Sequence, residues 1–148
     1  MLNSNTLTKT IKEKTGKRIL LVDDEPDTTM AMSIVLETNG FKVDSFNDAV
    51  LALSSFRSHY YDLAILDVKM PGMDGFELYD MIKKIDSQAN VCFITATDKS
   101  NYEQKKQETD IKQQNLSEKY CALKKNLFIL KPISNKDLVT EISKRIRD

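Results

Sequence analysis

Cysteine is too scarce for a disulfide framework: there are two, Cys92 and Cys121, and they share no CxxC spacing. The single histidine, His59, does not complete a metal set with them. Both thiols read as free and without a redox role, which suits a reducing compartment. Glycine (4) and proline (3) are too few for a turn-rich all-β fold or a disordered low-complexity chain. Neither sign of charge dominates, since 22 Lys and Arg balance 22 Asp and Glu. A dedicated nucleic-acid binder usually carries a basic excess, so no direct nucleic-acid partner is expected. No apolar run approaches the roughly 20 residues of a membrane span. Met1 to Lys17 also lack the apolar stretch of a signal peptide. A cytoplasmic chain is the expectation.

What is present suits one packed domain. The 148 residues are 41% hydrophobic and 30% charged. Residues 1–16 form a polar tail, and the patterned region runs over 17–148. Arg18 to Val22 is a short apolar run without alternation, the mark of a strand buried on both faces. Pro26 opens a helix that carries Ala31, Met32, Val35 and Leu36 and stops at Asn39-Gly40. Phe41 to Phe46 is a weaker strand. Asn47 or Asp48 then caps a helix with Ala49, Ala52, Leu53 and Phe56 on its apolar face. Leu63 to Leu66 is the third strand, and Leu78, Met81, Ile82 and Ile85 mark the next helix. Val91 to Ile94 and Leu127 to Leu130 are the last two strands. Ser134 caps a final helix with Leu138, Ile142 and Ile146 inward. Strands alternating with amphipathic helices predict a doubly wound parallel α/β sheet. Ligands bind such sheets at the carboxyl ends of the strands.

Those ends carry the chemistry. The first strand closes on Asp23 and Asp24, the third on Asp67, the fourth on Thr95 and the fifth on Lys131. Parallel strands bring these residues to one edge. Clustered carboxylates repel one another, so a pKa rises or a cation enters. A few hard oxygen ligands suit Mg²⁺. Asp67 is then available as a nucleophile, Lys131 as a point charge for a phosphoryl oxygen, and Thr95 as a hydroxyl donor. The set suits phosphoryl transfer.

With ILLVDDEP (19–26), LAILDVKMPGMDG (63–75), ITAT (94–97) and FILKP (128–132) in order, the chain resembles a response-regulator receiver domain of two-component signalling, of the stand-alone, chemotaxis-regulator-like kind. The likeness covers about residues 17–147. It implies a flavodoxin-like (βα)5 sheet in the order 2-1-3-4-5, with 17–148 as the receiver. Position by position, it makes Asp67 the phosphoacceptor. Asp23, Asp24, Asp67 and the backbone carbonyl of Lys69 become the metal ligands, for Mg²⁺ or Mn²⁺. Thr95 becomes the switch hydroxyl, Lys131 the phosphate-binding cation and Phe128 the switch aromatic. A cis peptide between Lys131 and Pro132 is implied as well. So is tuning of the phosphoryl lifetime by Lys69 and Thr97. The implied partners are a sensor histidine kinase or histidine phosphotransfer protein and a downstream protein. A phosphorylation-dependent dimer fits the family too. Such a protein is a signalling phosphoacceptor that dephosphorylates itself, not a metabolic enzyme.

Blander readings stand beside these. Asp27, Asp44, Asp74 and Asp80 read as solvated surface or helix caps. Thr95 or Lys131 alone would be an ordinary strand-end residue, and Phe128 is equally explained as core. Two other functions compete. A haloacid-dehalogenase-type phosphohydrolase also uses Asp, Mg²⁺, Ser/Thr and Lys, but places its nucleophile in a DxD motif after the first strand. Here that strand is followed by adjacent Asp23-Asp24. A phosphorylation-independent scaffold would have no need of the full acidic, hydroxyl and lysine set. The sequence departs from the family between Thr95 and Lys131, where the 98–126 segment is longer by roughly four helical turns. It is read as a longer helix or a loop-plus-helix, with Leu116, Tyr120 and Leu123 packing on the sheet, and as a candidate partner-binding element. The chain closes at Asp148 after its last helix, so a stand-alone receiver is the expectation.

Overall fold

The computed structural model describes residues 16–96 and 128–146. The tail over 1–15, Thr97, Cys121 and the 98–126 segment lie outside the described residues. Five strands form one sheet: β1 (Arg18–Val22), β2 (Lys42–Phe46), β3 (Leu63–Asp67), β4 (Val91–Ala96) and β5 (Phe128–Lys131). Their order is β2-β1-β3-β4-β5, and every neighbouring pair is parallel. Four described helices connect or follow them: α1 (Pro26–Thr38), α2 (Ala49–Ser55), α3 (Gly75–Ile85) and α4 (Asn135–Arg145). None of them is long and apolar enough to cross a membrane.

The continuous apolar runs of β1 and β3 are explained by cover on both sheet faces. Side chains alternate along a strand, so Leu20, Val22, Ala64, Leu66, Val91 and Phe93 point to one layer. There they meet Ala49 and Ala52 of α2 and Leu78 and Ile82 of α3. Ile19, Leu21, Leu63, Ile65, Cys92, Ile94 and Ile129 point to the other. They meet Met32 and Leu36 of α1 and Leu138 and Ile142 of α4. Each fully buried Leu or Ile contributes about 1.5–3 kcal/mol of hydrophobic stabilisation. β2 lies at an edge and keeps only a half-buried pattern.

Two helices bury narrower stripes than their spacing predicts. In α3, Leu78 and Ile82 are buried, whereas Met81 and Ile85 are exposed. In α1, Met32 and Leu36 are buried, Val35 is half-buried and Ala31 is exposed. A helix lying on a flat sheet presents one i, i+4 ridge to it, and residues one position to the side turn toward water.

Caps punctuate the helix starts. The carboxylates of Asp48 and Asp74 accept hydrogen bonds from the backbone N–H of Leu51 (3.0 Å) and Glu77 (2.8 Å). The Ser134 hydroxyl accepts from Asp137 N–H at 3.1 Å. The blander reading of Asp74 is therefore correct, and of the two cap candidates Asp48 takes the role. Cys92 is buried in the core, and burial pushes its thiol up to about 12.

Gly75 opens α3 directly behind the end of β3. Its N–H donates to the Val68 carbonyl at 3.0 Å. A Cβ at this position would run into the carbonyl oxygen of Asp67. Gly72 is demanding in a different way: its φ is +78°, but nothing lies within 4 Å of the place its Cβ would take. Gly75→Ala is expected to destabilise the fold by about 1–3 kcal/mol through backbone overlap, and Gly72→Ala by about 1 kcal/mol through conformation alone. Urea denaturation of the two variants measures both. A larger loss for Gly72→Ala would contradict the close approach at Gly75.

Candidate functional site

The carboxyl edge of the sheet gathers the polar strand ends. The β1–β3 register pairs Val22 with Leu66, so Asp23 and Asp67 follow on adjoining strands. Asp23, Asp24 and Asp67 each offer a carboxylate oxygen, and the three oxygens lie within 4.8 Å of one another. Lys131, the last residue of β5, reaches across the ends of β3 and β4 to this group. Its Nζ lies 2.7 Å from Asp23 Oδ2. The peptide bond between Lys131 and Pro132 is cis.

Asp23 is only 1% exposed, and a buried charge is tolerable only when paired and hydrogen-bonded. The Lys131 ammonium takes one oxygen, and the Glu25 backbone N–H donates to the other at 3.0 Å. Its main chain is held too. Asp23 N–H donates to the Phe46 carbonyl at 3.1 Å, and the Asn47 side-chain amide donates to the Asp23 carbonyl at 2.8 Å.

Asp67 is buried and lacks such an exclusive partner. Burial is the largest influence on its carboxyl, followed by the Asp23 charge, and Asp24 adds to both. Lys131 and a hydrogen bond from the Lys69 backbone N–H pull the other way. The net result lifts Asp67 to about 7. Three carboxylates facing one ammonium leave an excess of negative charge on hard oxygen donors. That set fits a small divalent cation such as Mg²⁺, which takes carboxylate oxygens and keeps several waters.

The other sequence candidates fall around this centre. Thr95 is half-buried, one position beyond Ile94, the partner of Asp67 across β3 and β4. The Lys69 side chain is exposed, two residues past Asp67. Phe128 lies outside the acidic group. It stacks on Phe93 with ring centroids 5.3 Å apart and meets Phe76 edge-on at 6.4 Å. Phe93 also contacts Phe76 at 5.0 Å, so an aromatic cluster joins α3, β4 and β5 below the site. Asn47 was visible in the sequence only as a cap candidate. Its position directly after a parallel strand was the signal that it, too, stands at the carboxyl edge.

The raised carboxyl of Asp67 has a sign for stability. In the unfolded chain it ionises near its ordinary value of 3.8; in the folded chain it keeps its proton to about 7. The folded state therefore binds more protons between these values, and the contribution of Asp67 falls as pH rises through them. Asp67→Asn is expected to escape that loss. The melting-temperature advantage of the variant over wild type, both without metal, should grow from pH 4 to pH 7.5. Parallel melting curves in a chelating buffer measure it, and a constant difference would show that Asp67 is not strained.

Comparison with known proteins agrees with this geometry. A family model described as the response regulator receiver domain matches residues 19–143. The sensor protein EvgS of Escherichia coli is 34% identical over 134 residues, 90% of this chain and 10% of EvgS. The transcriptional activator protein IrlR of Burkholderia pseudomallei is 41% identical over 81 residues, 55% of this chain and 35% of IrlR. The chain thus spans a tenth to about a third of these relatives. Among solved structures, the response regulator TrrA from Thermotoga maritima in complex with Mg²⁺-BeF is 26% identical with a TM-score of 0.63, covering 87% of this chain and 98% of TrrA. The non-phosphorylated HemR receiver domain from Leptospira biflexa is 25% identical with a TM-score of 0.68, covering 89% and 95%.

Proposed function

Because this chain belongs to the response regulator receiver family of two-component systems, in which phosphorylation and Mg²⁺ binding are characteristic, we propose that it is a phospho-switch whose acceptor is Asp67. The observation that carries the reading is the group of Asp23, Asp24 and Asp67 oxygens within 4.8 Å, with the Lys131 ammonium on its rim. Asp23, Asp24, Asp67 and the Lys69 backbone carbonyl would hold the metal. When bound, Mg²⁺ neutralises charge on the transferring phosphoryl oxygens. The TrrA structure carries Mg²⁺ with BeF, which supports the same pairing of metal and phosphoryl-like group here.

The phosphoryl donor is a sensor histidine kinase or a histidine phosphotransfer protein. An Asp67 carboxylate oxygen attacks the phosphorus, and the P–N bond to the donor imidazole breaks. The imidazole nitrogen leaves with the bonding electron pair. Attack requires the ionised carboxylate, which a cation held by Asp23 and Asp24 would favour. Lys131 then has a choice of anions, Asp23 or a phosphoryl oxygen. The added group brings about −1.5 to −2 charges and three acceptor oxygens. That charge draws Lys131 and the Thr95 hydroxyl toward Asp67. Phe128, three residues before Lys131 on β5, follows Thr95 inward.

The result is a changed surface around the 98–126 segment, β5 and α4, sensed by a downstream protein in the cytoplasm through contact. Slow hydrolysis of the acyl phosphate, tuned by Lys69, resets the switch.

Intact mass after incubation with acetyl phosphate and Mg²⁺ tests the reading. Wild type should gain one phosphoryl group. The gain should vanish with EDTA and be absent in Asp67→Asn. A folded wild type that gains nothing, from acetyl phosphate or from a histidine-phosphorylated donor, would point instead to a receiver-like scaffold that does not use the site.

A further inference from the structure

Asn47 and Thr29 lie outside the acidic group, yet both are tied to it. The Asn47 side-chain amide donates two hydrogen bonds, one to the Asp23 carbonyl at 2.8 Å and one to the Thr29 hydroxyl at 2.9 Å. The Asp23 carbonyl only accepts, so the amide nitrogen must face it. The Thr29 hydroxyl accepts from Asn47 and donates to the Pro26 carbonyl at 3.0 Å. Thr29 is 4% exposed, so its hydroxyl has little access to water as a substitute partner, whereas Asn47 is exposed and reaches inward from the surface. The hydrogen bonds therefore link the first turn of α1, through the Asn47 amide at the end of β2, to the backbone that carries Asp23 and Asp24.

The geometry points to Asn47 as a positioning residue for the metal site, with Thr29 as its support. Asp23 and Asp24 follow β1, where the ladder of strand hydrogen bonds ends. Two bonds replace it: Asp23 N–H to the Phe46 carbonyl, and Asn47 to the Asp23 carbonyl. The second holds the peptide plane between Asp23 and Asp24, and that plane sets where the Asp24 carboxylate points. The Asp23 side chain has its own restraints in Lys131 and the Glu25 N–H. No hydrogen bond between the Asp24 side chain and another described residue is observed, so its placement depends on the backbone. Partners of metal ligands that lie one layer out commonly set metal affinity in this way. The inference rests on the phosphoacceptor reading, because it presumes that the three carboxylates take a cation.

Mg²⁺ titration of the whole chain by calorimetry, with melting temperature and far-UV circular dichroism read on the same samples, tests it. Asn47→Ala is expected to weaken Mg²⁺ binding about tenfold with its circular dichroism unchanged. Thr29→Val keeps the shape but removes the acceptor, and should weaken binding in the same direction by less. Thr29→Ser keeps the hydroxyl and should restore the wild-type affinity. The double variant Asn47→Ala/Thr29→Val should be no weaker than Asn47→Ala alone, since the two act as one chain. At saturating Mg²⁺ the variants should still gain one phosphoryl group from acetyl phosphate. Variants that melt earlier but bind Mg²⁺ as wild type does would make the network purely structural and overturn the proposal. So would a Thr29→Ser variant no better than Thr29→Val. A wild type that binds no Mg²⁺ would overturn the phosphoacceptor reading and this proposal together, whereas normal wild-type binding with unaffected variants would overturn the proposal alone.

Discussion

Like charges crowded at one edge of the sheet are the constraint on which the site depends. Three carboxylates with oxygens within 4.8 Å of one another cannot all ionise at low cost. The fold handles this unevenly. Asp23, the most buried, takes the Lys131 ammonium and a backbone N–H. Asp67, with less help, is lifted to about 7. The same imbalance leaves an excess of negative charge that suits a small divalent cation. A chain with perfectly compensated charges here would carry less electrostatic strain and would suit a cation less.

Such crowding persists only on a rigid base. β1 and β3 supply it, because both are buried on two faces and lie at the centre of the sheet. Parallel pairing then aims every strand end at the same edge. Gly75 brings the start of α3 against the Asp67 carbonyl, and Asn47 ties the end of β2 to the turn after β1. The Asp67 backbone is thus enclosed by packing. The aromatic cluster of Phe76, Phe93 and Phe128 lies behind it and connects the site to β5, the strand that delivers Lys131.

Much of this was legible one element at a time. β1 and β3 announced themselves as apolar runs closing on acids, and the positions of the described helices followed from Pro26, the Asn47 or Asp48 cap, Ser134 and the i, i+4 spacing. What the pattern left open was which side chains are covered and which cap is used. Met81 and Ile85 share the periodicity of Leu78 and Ile82, yet they face water, because the width of a buried stripe is set by the surface it lies on. Asn47 and Asp48 are both good caps by residue type. Only the folded chain shows that Asp48 takes the helix and Asn47 turns to Asp23 and Thr29.

The sequence by itself determined which residues are chemically able to form a site, and that they stand at strand ends. Residue type, apolar patterning and order along the chain suffice for that, since each is a local property. The tertiary structure decided how the charges divide among them. The pairing of Lys131 with Asp23, separated by 108 residues, depends on where β5 docks relative to β1. So does the raised pKa of Asp67, because burial and the distances to Asp23, Asp24 and Lys131 exist only once the strands have assembled. Electrostatic energy depends on distance and solvent exposure, and neither is written in the linear order of the residues.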